Sequence, residues 1–246
     1  MTDPESSTVA RQLAKRVTSL RRSTAPVPYF DTPIPGGLPA YLREHLAAGE
    51  THYTTRPGLT ELRRAIAREI RDRGGPDRNA DSVIVTHGEG EALYVTLLGL
   101  GIGDESIVVV AGDCGHRGLL DLMGIEVAGP DDQEAEKAQA FYREVGEEPG
   151  HPTQVVRDDC VEILALGDLL FSGRSPEADL EPLSRPTIFL GHFDSLPGLD
   201  HFRMAYVAGP PELVKRIQTW KQALSICSAA PSQRAAMFAT SRERVS

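Results

Sequence analysis

Two short phrases in this chain hold residues whose types and spacing could do chemistry. The first runs from Val83 to Leu100. Val83–Thr86 is a short apolar run, Gly88-Glu89-Gly90 is a tight turn, and Leu93, Leu97 and Leu100 recur at helical spacing. Strand, glycine turn and helix in that order present free backbone N–H groups at a helix N-terminus, where a phosphate can bind. Glu89 sits inside the turn, and its carboxylate opposes a dianion unless it points away. The second phrase runs from Thr187 to Arg234. It opens with the β-rich run Thr187–Leu190, turns through the polar corner Gly191–Ser195 and reaches Arg203 eight residues after Ser195. A second apolar run follows at Met204–Ala208. A helix is predicted after Pro210-Pro211, with Leu213, Ile217, Trp220 and Leu224 spaced 4, 3 and 4 apart.

Composition narrows the classes of function. The 246 residues are 40% hydrophobic and 25% charged, as in an ordinary globular protein with room for a sizeable core. A net charge of −9 without a basic run argues against a nucleic-acid partner. Cys114, Cys160 and Cys227 are scattered and fit neither a disulfide framework nor a zinc site, so no metal is expected. No apolar run approaches about 18 residues and the N-terminus is not a signal peptide, so a cytoplasmic protein without a membrane span is expected. Of 26 basic residues only four are lysines, namely Lys15, Lys137, Lys215 and Lys221.

Further elements must position these residues. A helix carrying Val9, Leu13, Val17 and Leu20 forms an N-terminal arm over 1–25. The main domain is expected over 26–238 and a polar tail over 239–246. Helices are predicted near Leu38–Ala48, along the stripe Leu59, Leu62, Ile66 and Ile70, and over Asp132–Val145, where Ala138, Phe141 and Val145 align. Strands are expected near 83–86, 107–110, 125–128, 154–157 and 187–190, with an antiparallel one near 204–208.

Three phrases together resemble the class I/II aminotransferases, fold-type I enzymes dependent on pyridoxal 5′-phosphate (PLP). Tyr53 to Ala67 is similar to that family's Y-x-x-x-x-G-x-x-E-L-R-x-A-I-A arm. Val85 to Glu105 is similar to its V-T-x-G-x-x-E-A-L and G-D-E patterns. Gly191 to Tyr206 resembles the segment G-S-F-S-K, P-G-L and R-x-G-Y, in which the arginine follows the cofactor lysine by eight residues. The resemblance implies a three-layer α/β sandwich with a mostly parallel sheet. It also implies a PLP site contacted by Gly88, Glu89, Gly90, His116, Asp158 and Arg203. There His116 takes the place of a stacking aromatic ring, Asp158 pairs with the pyridine nitrogen and Arg203 holds the phosphate. His192 and Asp194 stand where the family has serines, Val161 stands where it has a tyrosine, and Tyr53 would reach the pocket of a neighbouring subunit.

The lysine position holds Ser195, so no catalytic residue is assigned and any PLP would be held non-covalently. The same comparison implies a chain shortened between Ala128 and Gln154 with the loss of a central strand. His151-Pro152-Thr153-Gln154 is then a chance echo of N-P-T-G. The small domain that carries the arginine for the substrate carboxylate is expected to be absent. Amino acids and 2-oxo acids are the implied substrates if the chain is active, and a homodimer or a pairing with an intact paralogue is the implied assembly. The alternatives are an impaired enzyme, a non-catalytic partner, and a degenerate gene fragment without a stable fold.

Overall fold

A computed structural model describes residues 34–112, 114–145, 160–171, 180, 185–194, 196, 198–199 and 202–242. Seven strands form one sheet: β1 (Val83–His87), β2 (Ile107–Ala111), β3 (Glu126–Ala128), β4 (Ala140–Glu144), β5 (Val161–Ala165), β6 (Thr187–His192) and β7 (Met204–Ala208). Their spatial order is β1-β7-β6-β5-β4-β2-β3. Only β7 runs against its neighbours β1 and β6; the other four pairings are parallel. Helices α1 (Leu38–Ala47), α2 (Thr60–Asp72), α3 (Gly88–Leu100), α4 (Arg117–Leu122), α5 (Pro211–Ser225) and α6 (Ala230–Arg242) complete the described elements, with short 3₁₀ turns at Ala80–Ser82 and Gln133–Lys137.

The alternation of side chains along each strand builds two cores. Val83, Val85, Leu164, Phe189, Met204 and Tyr206 face α1, α2 and α6. Ile84, Ile163, Ile188, Leu190, Ala205 and Val207 face α3, α4 and α5. The result is the α/β sandwich expected above, with a mostly parallel sheet covered on both sides.

Two expectations are corrected in the middle of the sheet. The segment Asp132–Val145 is not a helix. It forms the 3₁₀ turn Gln133–Lys137 and then β4, whose Ala140, Phe141 and Tyr142 are all buried. A strand covered on both faces needs a continuous apolar run, and that run happened to place Ala138, Phe141 and Val145 at helical spacing. Nor is a central strand missing. β4 pairs with β2 and β5, and β5 pairs with β4 and β6, in unbroken register.

β5 was not among the expected strands, because Glu162 interrupts its apolar pattern. That carboxylate is fully buried, accepting from Arg143 Nε at 2.7 Å and from the Thr187 hydroxyl at 2.8 Å. One polar contact therefore ties β4, β5 and β6 together. The expected strand 154–157 and the arm over 1–25 lie outside the described residues. α6 continues to Arg242, into the stretch expected to be tail.

α3 and α5 approach so closely that a Cβ on Gly99 would lie 2.8 Å from Ile217 Cα. Alanine favours a helix over glycine by about 1 kcal/mol, but here, besides the Ile217 side chain, the backbone Cα and N of Ile217 face the site at 2.8 and 3.0 Å and cannot yield. Gly99→Ala should therefore lower stability by about 1–3 kcal/mol, read as a drop in the urea midpoint at constant slope.

Candidate functional site

Because β7 alone is reversed, the C-terminal ends of β1, β2, β4, β5 and β6 and the start of β7 share one edge of the sheet. Ligands of open α/β sheets bind outside the carboxyl ends of their strands. That edge carries His87 to Gly90, Cys114 to His116, Glu144, Leu166 to Asp168, His192 to Asp194, and Arg203.

α3 begins directly at the end of β1. Gly88 takes φ +75°, a turn that a residue with Cβ would resist. A Cβ there would lie 3.7 Å from Arg203 Nη2 and 3.8 Å from Arg203 Nε, so the guanidinium lies over the first turn of α3. Arg203 itself is exposed and has φ +48°.

Glu89 does not point away from this edge. Its Oε2 lies 3.4 Å from His116 Nε2 and 3.8 Å from His192 Nε2, and all three side chains are largely buried. Burial works against ionisation of Glu89, but pairing with His116 and the charges of His192 and His116 outweigh it, so its pKa lies below the usual value. Pairing with Glu89 raises the pKa of His116 against its own burial, helped by the charges of Glu89 and Glu144. Around this pair, the Asp194 N–H donates to His192 Nδ1 at 3.3 Å, which leaves Nε2 to carry the ring proton toward Glu89. Glu144 Oε1 accepts from the Tyr142 hydroxyl at 3.0 Å and from the Gly115 N–H at 3.4 Å. Burial, with the nearby Cys114, Glu144 and Glu89, pushes the Tyr142 phenol well up, so it serves as a neutral donor.

A second polar chain fixes where α3 starts. The His87 N–H donates to Glu91 Oε2 at 2.6 Å, and the Ser225 hydroxyl donates to Glu91 Oε1 at 2.6 Å. Lys221 Nζ donates to Ser225 Oγ at 3.1 Å from a fully buried position. The Ala229 N–H donates to His87 Nε2 at 3.3 Å, so the ring proton sits on Nδ1, 3.2 Å from Glu91 Oε2. Burial opposes the charge on Glu91, yet these hydrogen bonds and the charge of Lys221 bring its pKa to about 2. Burial lowers the pKa of Lys221, and Glu91 partly restores it.

Gly88, Glu89, Gly90, His116 and Arg203 thus sit at one edge, as do His192 and Asp194. Asp158 and Ser195 lie outside the described residues. Val161 opens β5 at its N-terminal end, so it does not stand at the carboxyl end, where the family's tyrosine would be expected. The carboxylate that follows the carboxyl end of β5 is the half-buried Asp168, next to Gly167, whose carbonyl accepts from the His192 N–H at 2.7 Å. The run Val161–Ala165 followed by Leu-Gly-Asp was the signal for it, once Glu162 is read as a buried, paired acid. Tyr53 is 80% exposed. Among the described residues, no cluster of three or more His, Cys, Asp or Glu could hold a metal ion, and no helix is long and apolar enough to cross a membrane.

No family model matches the chain. Its sequence is similar to the (5-formylfuran-3-yl)methyl phosphate transaminase of Methanocaldococcus jannaschii, 24% identical over 241 residues that cover 88% of this chain. The chain spans 63% of that relative's length. It is also similar to the aspartate aminotransferase of Thermotoga maritima, 38% identical over 100 residues covering 40% of this chain and 26% of the relative. Among solved structures, Thermus thermophilus aspartate aminotransferase with maleate superposes with a TM-score of 0.70 at 20% identity, over 96% of this chain and 70% of the other. A Methanococcus jannaschii protein whose active site is similar to kynurenine aminotransferases gives a TM-score of 0.69 at 23% identity, over 96% and 71% of the two chains. The fold is that of the aminotransferases.

Two measurements check this geometry. In an NMR pH titration, His116 should titrate above 6.5, and Glu89→Gln should move it back toward 6.5. The Glu89–His116 contribution to stability is complete between pH 4.5 and 6.5. It is lost as pH rises through the raised His116 pKa and as pH falls through the lowered Glu89 pKa. Glu91→Ala leaves Lys221 buried without its carboxylate and should cost about 3–5 kcal/mol in chemical denaturation. The stabilisation from Glu91 is present above pH 4.5 and should fade as pH falls toward about 2.

Proposed function

We propose that this chain is an aminotransferase-family protein that forms no covalent link to PLP and does not transaminate. The observation that carries the reading is Ser195, eight residues before Arg203, where the resembling segment has its lysine. A lysine amine holds PLP as a Schiff base and moves the substrate proton; a serine hydroxyl does neither at neutral pH. Of the other lysines, Lys137 and Lys215 are exposed on other elements, Lys15 lies outside the described residues, and the amine of Lys221 is buried and bonded to Ser225.

The residues at the carboxyl edge do not fit the cofactor's phosphate. The ionised Glu89 stands among the groups that would hold it, with Asp194 and Glu144 nearby. Any PLP would be bound weakly and reversibly. Amino acids and 2-oxo acids remain the class of small molecule that the family suggests for this edge.

Incubating the whole chain with PLP and reducing with borohydride should leave its intact mass unchanged, and transaminase assays should show no turnover. A stable adduct mapped to Lys221 or Lys215, or turnover lost on replacing either, would overturn the proposal.

The 80% exposure of Tyr53 favours a second reading, in which the chain acts by pairing with another copy or with a longer paralogue. Sedimentation at micromolar concentration should then show self-association that Tyr53→Ser weakens about tenfold, the loss of one interface aromatic. A monomer unchanged by adding that paralogue would count against it.

A further inference from the structure

We infer that Glu89 is the resident anion of the cradle at the carboxyl edge: its carboxylate lies among the first turn of α3, His116 and His192 and closes that cradle to phosphate. This deepens the reading proposed above, on which it rests for treating the edge as the ligand site. Three sources of positive potential meet there. The N-terminus of α3 carries free N–H groups and the positive end of its dipole. The Arg203 guanidinium lies over Gly88, and among the described residues it has no ion pair. His116 and His192 turn their Nε2 atoms toward one carboxylate oxygen, at 3.4 and 3.8 Å. These are the groups that would receive an incoming anion, and Glu89 already supplies one from within the chain.

The surrounding charges do not reverse this. Glu144 lies on the Gly115 side of His116, and Asp194 is 3.9 Å from the far nitrogen of His192. Both carboxylates add to the repulsion an external dianion would meet. Tyr142 is held as a neutral donor to Glu144, and Cys114 is buried beside it. Glu89 is also fixed in place. Gly88 and Gly90 flank it on the α3 turn, and Glu91 ties that turn to His87 at the end of β1 and to Ser225 at the end of α5. A like charge within a few ångströms in a partly buried site costs a dianion far more than tenfold in affinity at an effective dielectric near 20. Removing that charge should therefore be read directly in phosphate binding.

The test uses the whole chain and inorganic phosphate as probe, at constant ionic strength with chloride as control, followed by the imidazole NMR signals of His116 and His192. Wild type should show no saturable shift in the millimolar range. Glu89→Gln keeps the size and removes the charge, and should bind phosphate at least about tenfold more tightly. Adding Arg203→Ala to that variant should return binding to the wild-type level. Glu89→Ser serves where the amide variant loses stability, as judged by its urea midpoint.

Wild type saturating at the same phosphate concentration as Glu89→Gln would overturn the inference. So would a folded, charge-neutral variant that fails to bind, or binding indifferent to Arg203. Inorganic phosphate forms no bond to an amine, so this result is separate from borohydride trapping. Reversible binding by wild type with no reducible adduct would sink the role of Glu89 and leave the non-covalent reading standing.

Discussion

The pairing of β5 between β4 and β6 is the constraint on which the rest of the structure depends. A parallel strand in the middle of a sheet has no solvent on either edge or face, so each backbone group must find its partner in the ladder. Ala140 to Glu144, Val161 to Ala165 and Thr187 to Leu190 meet this in continuous register. The buried Glu162, shared between Arg143 and Thr187, adds a contact that only this register satisfies. With the middle of the sheet closed, the ends of five strands and the start of β7 reach one edge.

What that edge can do is decided by charge. A helix N-terminus, an arginine and two histidines would ordinarily invite an anion. Here the two histidines face a glutamate from the first turn of α3 itself, and the arginine lies over the neighbouring Gly88. On the inference drawn above, what stabilises the arrangement also makes it a poor phosphate site: the carboxylate is already matched by an imidazolium and a helix dipole. The polar chain from Lys221 through Ser225 and Glu91 to His87 has a different role. It sets where α3 begins, and thereby where Glu89 points, without reaching into the cradle.

Likeness to aminotransferases carries the fold further than the chemistry. The superpositions cover 96% of this chain, while sequence identity is 20–23%. A backbone tolerates that divergence because core positions need only apolar volume and pattern. A catalytic site does not, because it needs one amine at one place. In the reading proposed above, Ser195 and Glu89 are changes of nucleophile and charge at such places.

The order of apolar runs, glycine turns and helical stripes was enough to read an α/β sandwich, the first and last strands, and α1, α2, α3 and α5. Those segments are amphipathic or bounded by turns, so their period is visible locally. β4 and β5 were not legible, because burial on both faces erases period two and because Glu162 looks solvent-facing until its partners on β4 and β6 are known. In the site, Gly88, Glu89, His116 and Arg203 could each be named from sequence, as could Ser195, eight residues before Arg203, on which the proposed reading rests. The direction of the Glu89 side chain could not. It depends on His116 and His192, 27 and 103 residues further along, and only the closed sheet brings those two loops to the start of α3.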